Sequence, residues 1–173
     1  MESQKFTMEL RQWTLSDQKD LISLCNAVDR RFLSDRLPYP YTEKDADKWL
    51  NMVSENEAVT GVYRAIICEG KLVGSISVEK KDDDDDAEIG YMLLNEYANK
   101  GIATEAVKQI CPIAFNTLPL ERITAYVFQP NIASTRVLQK NGFKYNRTIQ
   151  NAAVKNGEAC DLLAFRLTTK PFY

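Results

Sequence analysis

The chain has 173 residues, 45% of them hydrophobic, and this length and composition predict one domain over residues 1–173 with a sizeable core. It carries 22 basic and 24 acidic residues without a basic block, which disfavours a nucleic-acid partner. The amino-terminal residues do not resemble a signal peptide, and no apolar run approaches the length of a membrane span. We therefore expect a cytoplasmic protein with a small or peptidic partner and no membrane partner.

The spacing of the cysteines and the lack of histidine limit the kinds of catalytic and metal site that the chain can form. The four cysteines form no Cys-x-x-Cys pair, which disfavours redox motifs and metal clips and predicts buried free thiols. The chain has no histidine, and this excludes His-based catalytic triads and the commonest metal ligand. We therefore expect no metal, and we expect proton transfer to depend on carboxylates, tyrosine, lysine or water.

The first half of the chain predicts a strand, two helices and a hairpin. Residues 6–10 alternate between apolar and polar side chains, as in a strand with one buried face. Ser16 is predicted to cap the first helix, and Thr42 with Asp45 has the pattern of a capping box before the second helix. Two apolar runs flank the turn at 69–71, so they are expected to pair as a hairpin.

The second half alternates strands with helices. A strand is predicted over 87–94, and a helix begins after Gly101. Pro112 falls inside this helical pattern, where an undistorted helix would lose about 3 kcal/mol, so we predict a kink or an early end. A strand, a helix and two closing strands follow at 123–128, about 132–140, 143–149 and 160–167. The whole predicts a mixed α/β domain with meander and crossover connections.

The turn between this strand and helix has the composition of an anion site. Residues 96–106 form a small-residue turn with one lysine that runs directly into the helix. The first N–H groups of a helix lack intrahelical acceptors and lie at the positive end of its dipole, so a phosphate binds there without dedicated side chains. Glu88 on the preceding strand places a carboxylate beside this turn. Strand, turn and helix therefore form one candidate site.

Three segments carry a resemblance to a known family. Residues 88–91 (Glu-Ile-Gly-Tyr), 100–106 (Lys-Gly-Ile-Ala-Thr-Glu-Ala) and 131–143, in this order, resemble the acetyl-CoA motifs of the GNAT N-acetyltransferases. The opening half, with Leu-Pro-Tyr-Pro-Tyr-Thr at 37–42, is similar to the branch that includes the N-terminal alanine and serine acetyltransferases of ribosomal proteins. The resemblance implies a twisted, mostly antiparallel sheet of about seven strands, flanked by about four helices and splayed between the fourth and fifth strands.

The resemblance also implies which residues bind acetyl-CoA as co-substrate. The backbone amides of Asn99, Lys100, Gly101, Ile102 and Ala103 are expected to hold the pyrophosphate, with the Lys100 side chain as a point charge and a Thr104 hydroxyl nearby. The pantetheine arm is expected to meet the main chain of Tyr91, Met92 and Leu93. Asn131 corresponds to the family asparagine that contacts this arm, and it is equally suited to cap the helix that follows. Arg136 and Lys140 either meet the adenosine phosphates or are solvated charges.

Two positions depart from the family pattern. Asn99 occupies a position where glycine is common and needs a backbone conformation that glycine adopts freely. Leu138 replaces the tyrosine that serves many members as general acid, so Ser134, one helical turn earlier, is the candidate that protonates the leaving thiolate. Glu88 is the candidate base that takes a proton from the amine through water. Glu96 and Glu105 are alternatives to Glu88.

These inferences predict direct transfer of an acetyl group from acetyl-CoA to a primary amine in a ternary complex. The acceptor is expected to be a protein N-terminus or a small-molecule amine, and the protein is expected to be a monomer or a homodimer. Asn99 and Leu138 leave an alternative open, a catalytically weak or inactive protein of the same fold that binds or senses acyl-CoA.

Overall fold

The computed structural model describes residues 6–33, 36–82 and 85–169. Within these ranges the chain forms seven strands and four helices. The strands are β1 Met8–Arg11, β2 Gly61–Cys68, β3 Lys71–Lys80, β4 Asp86–Leu93, β5 Arg122–Phe128, β6 Lys144–Lys155 and β7 Glu158–Thr168. The helices are α1 Gln18–Ala27, α2 Glu43–Asn56, α3 Ile102–Thr117 and α4 Ile132–Lys140. None of these helices is long and apolar enough to cross a membrane.

The strands form one sheet in the order β1-β2-β3-β4-β5-β7-β6. Every neighbouring pair is antiparallel except β4 and β5, which are parallel. A parallel pair needs a crossover connection, and α3 supplies it. The predicted mixed α/β sheet with seven strands and four helices is therefore confirmed.

The parallel strands β4 and β5 are joined over only three residue pairs. These are Asp86 with Arg122, Ala87 with Ile123, and Glu88 with Thr124. After Glu88, β4 continues to Leu93 paired with β3 alone, while β5 continues paired with β7 alone. This confirms the splay between the fourth and fifth strands.

The two faces of the sheet bury separate clusters. The larger cluster packs α3 and Leu138 of α4 against the sheet, and the smaller one joins Leu21 of α1 to Leu50 of α2. Successive side chains of a strand point to opposite faces, and β4 shows this directly. Tyr91 packs against the larger cluster, whereas Met92 packs against the smaller one. By the same alternation, Glu88 lies on the α1–α2 face, since it is four residues from Met92.

The helix boundaries confirm one predicted cap and correct another. Thr42 and Asp45 form the capping box at the start of α2, as predicted. Ser16 does not cap the first helix, because Thr14 and Asp17 form a capping box on a short 3-10 turn that precedes α1. Helix α3 continues to Thr117 and does not end early at Pro112, which lies on the exposed side of the helix where water can satisfy the carbonyl that proline leaves unpaired.

The C-terminal hairpin is longer than predicted. Strands β6 and β7 meet at a two-residue turn of Asn156 and Gly157, both with positive φ (52° and 80°). Asn-Gly is the residue pair that this turn geometry favours. The sequence prediction ended the first strand at residue 149, whereas β6 continues to Lys155. The side-chain ammonium of Lys155 donates to the carbonyl oxygen of Leu33 (2.8 Å), so the hairpin contacts the segment that follows α1.

Candidate active site

A groove of about 1340 Å³ opens where β4 and β5 separate. Its volume is ample for an extended small-molecule ligand. It is lined by β4, by the turn before α3, by the first turns of α4 and by parts of β5 and β6. The fold brings almost all of the sequence-predicted residues to this groove, namely Glu88, Tyr91, Met92, Leu93, Asn99, Gly101, Ile102, Ala103, Thr104, Asn131 and Ser134.

One wall of the groove is the edge of β4. Between Ile89 and Leu93 the strand is paired with β3 on one side, and no strand of the described ranges pairs with it on the β5 side. Backbone N–H and C=O groups directed toward this opening are available to a ligand, because an extended peptide-like chain bonds to such an edge as an added strand does. The splay therefore exposes a backbone surface that suits an arm containing amides.

The turn before α3 exposes backbone amides to the groove. Asn99 and Gly101 both adopt the left-handed conformation, with φ of 59° and 78°. Gly101 is the N-cap of α3 and has no side chain that could cap it. The amides of Ile102, Ala103 and Thr104, at the start of the helix, have no intrahelical acceptor. A Cβ atom at Gly101 would have no heavy atom within 4 Å. Asn99 thus adopts the left-handed backbone conformation that its position was predicted to need. The open space beside the turn suits an anion.

The side chain of Lys100 lies away from this turn. Its ammonium is 5.0 Å from the ring centre of Phe6 and 5.7 Å from that of Tyr97, a cation–π arrangement, and the residue does not line the groove. The position does not support the expected point charge on the pyrophosphate. Lys100 contributes to the turn through its backbone, and the cations that do line the groove beside it include Arg136 and Lys140 of α4.

Glu88 lies at the vertex of the splay. Its side chain is 37% exposed and forms an ion pair with Lys81, with 2.9 Å between Nζ and Oε2. The hydrogen bond to Glu88 raises the pKa of Lys81, so this lysine stays charged at neutral pH. The alternatives Glu96 and Glu105 do not line the groove. Of the candidate bases named from the sequence, the structure therefore places Glu88 at the site.

Ser134 lies across the groove from β4, on the first turn of α4. Its backbone N–H donates to Asn131 Oδ1 (3.2 Å), so Asn131 caps the helix and lines the groove at once. Its hydroxyl oxygen is 2.6 Å from the phenol oxygen of Tyr91. Leu138, one turn further along α4, is fully buried in the larger cluster. The leucine that replaces the family tyrosine is thus a core residue.

Two parts of the site were missed by sequence reasoning. Tyr91 was expected to contribute only through its main chain. The role of its side chain was missed, although alternation along β4 puts this side chain on the same face as Ile89 and α4. The opposite rim of the groove, formed by residues 31–33 after α1 and by 152–154 of β6, was also missed. The Asn-Gly pair at 156–157 was the signal that would have extended β6 to this rim.

The chain is similar to acetyltransferases in sequence. Residues 7–144 match the family model described as Acetyltransferase (GNAT) domain. The uncharacterized N-acetyltransferase YoaA of Bacillus subtilis (strain 168) is 37% identical over 75 residues, which make up 43% of this chain and 42% of that protein. The uncharacterized N-acetyltransferase YnaD of the same organism is 31% identical over 123 residues, 70% of this chain and 71% of that protein. The match therefore spans less than half the length of YoaA and about seven tenths of YnaD.

The fold is also similar to that of solved acetyltransferases. The structure of the ribosomal L7/L12 alpha-N-protein acetyltransferase RimL in complex with coenzyme A superimposes with a TM-score of 0.84, at 20% identity over 94% of both chains. At this identity the similarity concerns the fold alone.

Proposed function

We propose, because this chain belongs to the GNAT acetyltransferase family, that it binds acetyl-CoA in the groove between β4 and β5 and transfers the acetyl group directly to a primary amine. The observation that supports this most strongly is the splay after Glu88 and Thr124, which joins an unpaired strand edge to an exposed helix N-terminus in one groove. Acetyl-CoA, when bound, supplies an activated acetyl group as a thioester.

The residues present fit the three parts of this co-substrate. Its pyrophosphate suits the amides of residues 99–103, where Gly101 leaves the approach open. Its amide-bearing arm suits the backbone of Tyr91, Met92 and Leu93, which β5 leaves unpaired. Its thioester would then lie near the vertex of the splay, between Glu88 on one face of the sheet and Ser134 on the other.

Glu88 removes a proton from the acceptor in this proposal. An α-amino group has a reference pKa near 8 and a lysine one near 10, so both are largely protonated at neutral pH and cannot attack a thioester. Glu88 is partly exposed at the groove, and it accepts this proton through a water molecule. Lys81 pairs with this carboxylate (2.9 Å) from the solvent side, since its own side chain is 59% exposed.

Ser134 acts on the leaving group of the reaction, the thiolate of CoA. Its hydroxyl lines the groove at the start of α4, where Asn131 fixes the backbone that carries it. From this position Ser134 donates a hydrogen bond to the sulfur of the departing CoA. In many other members of the family, a tyrosine at the position of Leu138 has this role. Leu138 cannot do so because its side chain is buried and apolar.

We further propose a protein N-terminus as the acceptor, with a small-molecule amine as the alternative. The fold similarity to RimL, whose name assigns it to an alpha-amino group of a ribosomal protein, extends over 94% of both chains and supports the first choice. The test is mass spectrometry of acetyl-CoA reactions with peptides that begin with serine or alanine, with the same peptides blocked at the N-terminus, and with polyamines and amino acids.

The expected result is acetylation of the free peptide N-terminus and none of the blocked peptide. The competing function is a protein that binds acyl-CoA without turnover, and the burial of Leu138 and the Lys81 ion pair at Glu88 favour it. Tight binding of acetyl-CoA without acetylation of any amine in the panel would support that second function and contradict the first.

A further inference from the structure

The phenol of Tyr91 reaches across the splay to α4. Its oxygen lies 2.6 Å from Ser134 Oγ and donates, at 3.5 Å, to the Ser134 carbonyl oxygen. Tyr91 belongs to the part of β4 that has no partner in β5, and Ser134 belongs to the helix that follows β5. This hydrogen bond therefore connects the two walls of the groove at the residue that we assign to the leaving group.

Either hydroxyl can be the donor of the 2.6 Å bond between Tyr91 and Ser134. The contact with the Ser134 carbonyl oxygen is 3.5 Å long, at the limit of a hydrogen bond, so Ser134 Oγ at 2.6 Å is the main partner of the phenol. The Ser134 N–H is taken by Asn131 Oδ1. With the phenol as donor to Oγ, the hydroxyl proton of Ser134 is available to a ligand in the groove, which both residues line.

We propose that Tyr91 is a positioning residue for Ser134: its phenol donates to Ser134 Oγ and thereby directs the serine proton toward the sulfur of departing CoA. This inference rests on the proposed function. In the step, the bond between the acetyl carbon and sulfur breaks and its electron pair leaves on sulfur, which Ser134 stabilises by a hydrogen bond. The nitrogen that gains the acetyl group releases the proton that completes the thiol. Tyr91 keeps its own proton throughout.

Two physical effects support this assignment. Burial raises the pKa of Tyr91 to about 12, so its phenol remains a donor at any pH at which an amine acetyltransferase would be assayed. A hydroxyl that accepts a hydrogen bond becomes a stronger donor in turn, because hydrogen bonds in a chain polarise one another. Tyr91 thus both orients and strengthens the donor that faces the sulfur.

The experiment measures the thiol of bound CoA directly. CoA is titrated with alkali in complex with the wild type, Tyr91→Phe, Ser134→Ala and the double variant, and the thiolate is followed by its ultraviolet absorbance. Tyr145→Phe is the matched control, since the phenol of Tyr145 is 2.8 Å from the Thr148 hydroxyl on exposed β6 and does not line the groove. Steady-state kinetics with the best acceptor accompany the titration.

A hydrogen bond to the thiolate favours its charged form, so its loss raises the pKa of the thiol. We expect the pKa of bound CoA to rise by about one unit in Tyr91→Phe and in Ser134→Ala, with no further rise in the double variant. We expect kcat to fall about 10-fold in Tyr91→Phe, with an unchanged KM for acetyl-CoA and wild-type behaviour in Tyr145→Phe.

Three outcomes would overturn the inference. One is a wild-type thiol pKa in Tyr91→Phe. Another is a double variant whose effect on the thiol pKa is the sum of the two single effects, since this would mean that Tyr91 does not act through Ser134. The third is a raised KM for acetyl-CoA with unchanged kcat, the result expected of a bond that only braces the groove. A wild type that binds CoA but acetylates no amine contradicts the proposed function instead, and the thiol titration still decides the role of Tyr91.

Discussion

Glu88 and Thr124 face each other at the last register pair of the parallel strands β4 and β5. Thr124 is 2% exposed, and its hydroxyl donates to Asp86 Oδ1 (2.8 Å), which fixes the two strands together just before they separate. The candidate base is therefore held at the vertex of the groove, where the reactive end of an arm that follows β4 would lie. Its position follows from the strand pairing.

The turn before α3 gives the first prediction. Gly101→Glu is expected to abolish acetyl-CoA binding, because it adds bulk and negative charge where the phosphate belongs and strains a backbone with φ of 78°. Gly70→Glu is the matched control, since Gly70 has the same φ, equally open space around its Cβ position and no place in the groove. Calorimetry in which both variants bind acetyl-CoA as the wild type does would refute the assignment of the phosphate site.

Much of this architecture was readable from the sequence, and the reasons are local. The capping box at Thr42 and the small-residue turn at Gly101 act through neighbouring residues, so they were predictable. The bond between Tyr91 and Ser134 was not, because it joins residues 43 positions apart and depends on how α4 packs over the splay. The location of the Lys100 side chain was missed for a similar reason, since Phe6, which is distant in sequence, contacts it together with Tyr97.

The ion pair between Arg11 and Asp17 gives a prediction about stability. Asp17 accepts from Arg11 (2.9 and 3.0 Å) and from the Thr14 N–H (2.8 Å). Burial acts to raise the pKa of Asp17, but these hydrogen bonds outweigh it and hold the pKa below its ordinary value. A lowered pKa in the folded state means that the stabilisation is present at neutral pH and is lost as the pH falls through that pKa, below about pH 4.

Asp17→Asn should therefore lower the free energy of unfolding by about 1–2 kcal/mol at neutral pH, the range for a hydrogen-bonded cap with a charged partner that is partly solvated. Urea denaturation should show this difference at pH 7 and a smaller one near pH 3. Asp20→Asn, at an exposed position of α1, serves as control. Equal stability of the wild type and Asp17→Asn at pH 7 would count against the account of this pair.

The cysteines give a third prediction, which also matters for assays that detect free CoA thiol. Burial raises the pKa of Cys25 to about 11 and that of Cys111 to about 12, and it also raises the pKa of Cys68, so these thiols stay protonated and shielded near pH 8. Cys160 is partly exposed on β7. A disulfide reagent should therefore modify one cysteine rapidly in the native protein and all four after denaturation, and Cys160→Ser should remove the rapid reaction. Rapid modification of two or more thiols in the native state would contradict this.

The most direct test of the whole account is Glu88→Gln, measured for both binding and rate. Calorimetry should give an acetyl-CoA Kd close to that of the wild type, because the proposed cofactor contacts are backbone groups beyond Glu88. The rate of amine acetylation at neutral pH should fall by roughly 10²-fold or more, the usual contribution of a general base. Glu105→Gln, which replaces a carboxylate on α3 outside the groove, should keep the wild-type rate. An unchanged rate in Glu88→Gln would remove Glu88 from the mechanism and contradict the proposed acetyl transfer at the vertex of β4 and β5.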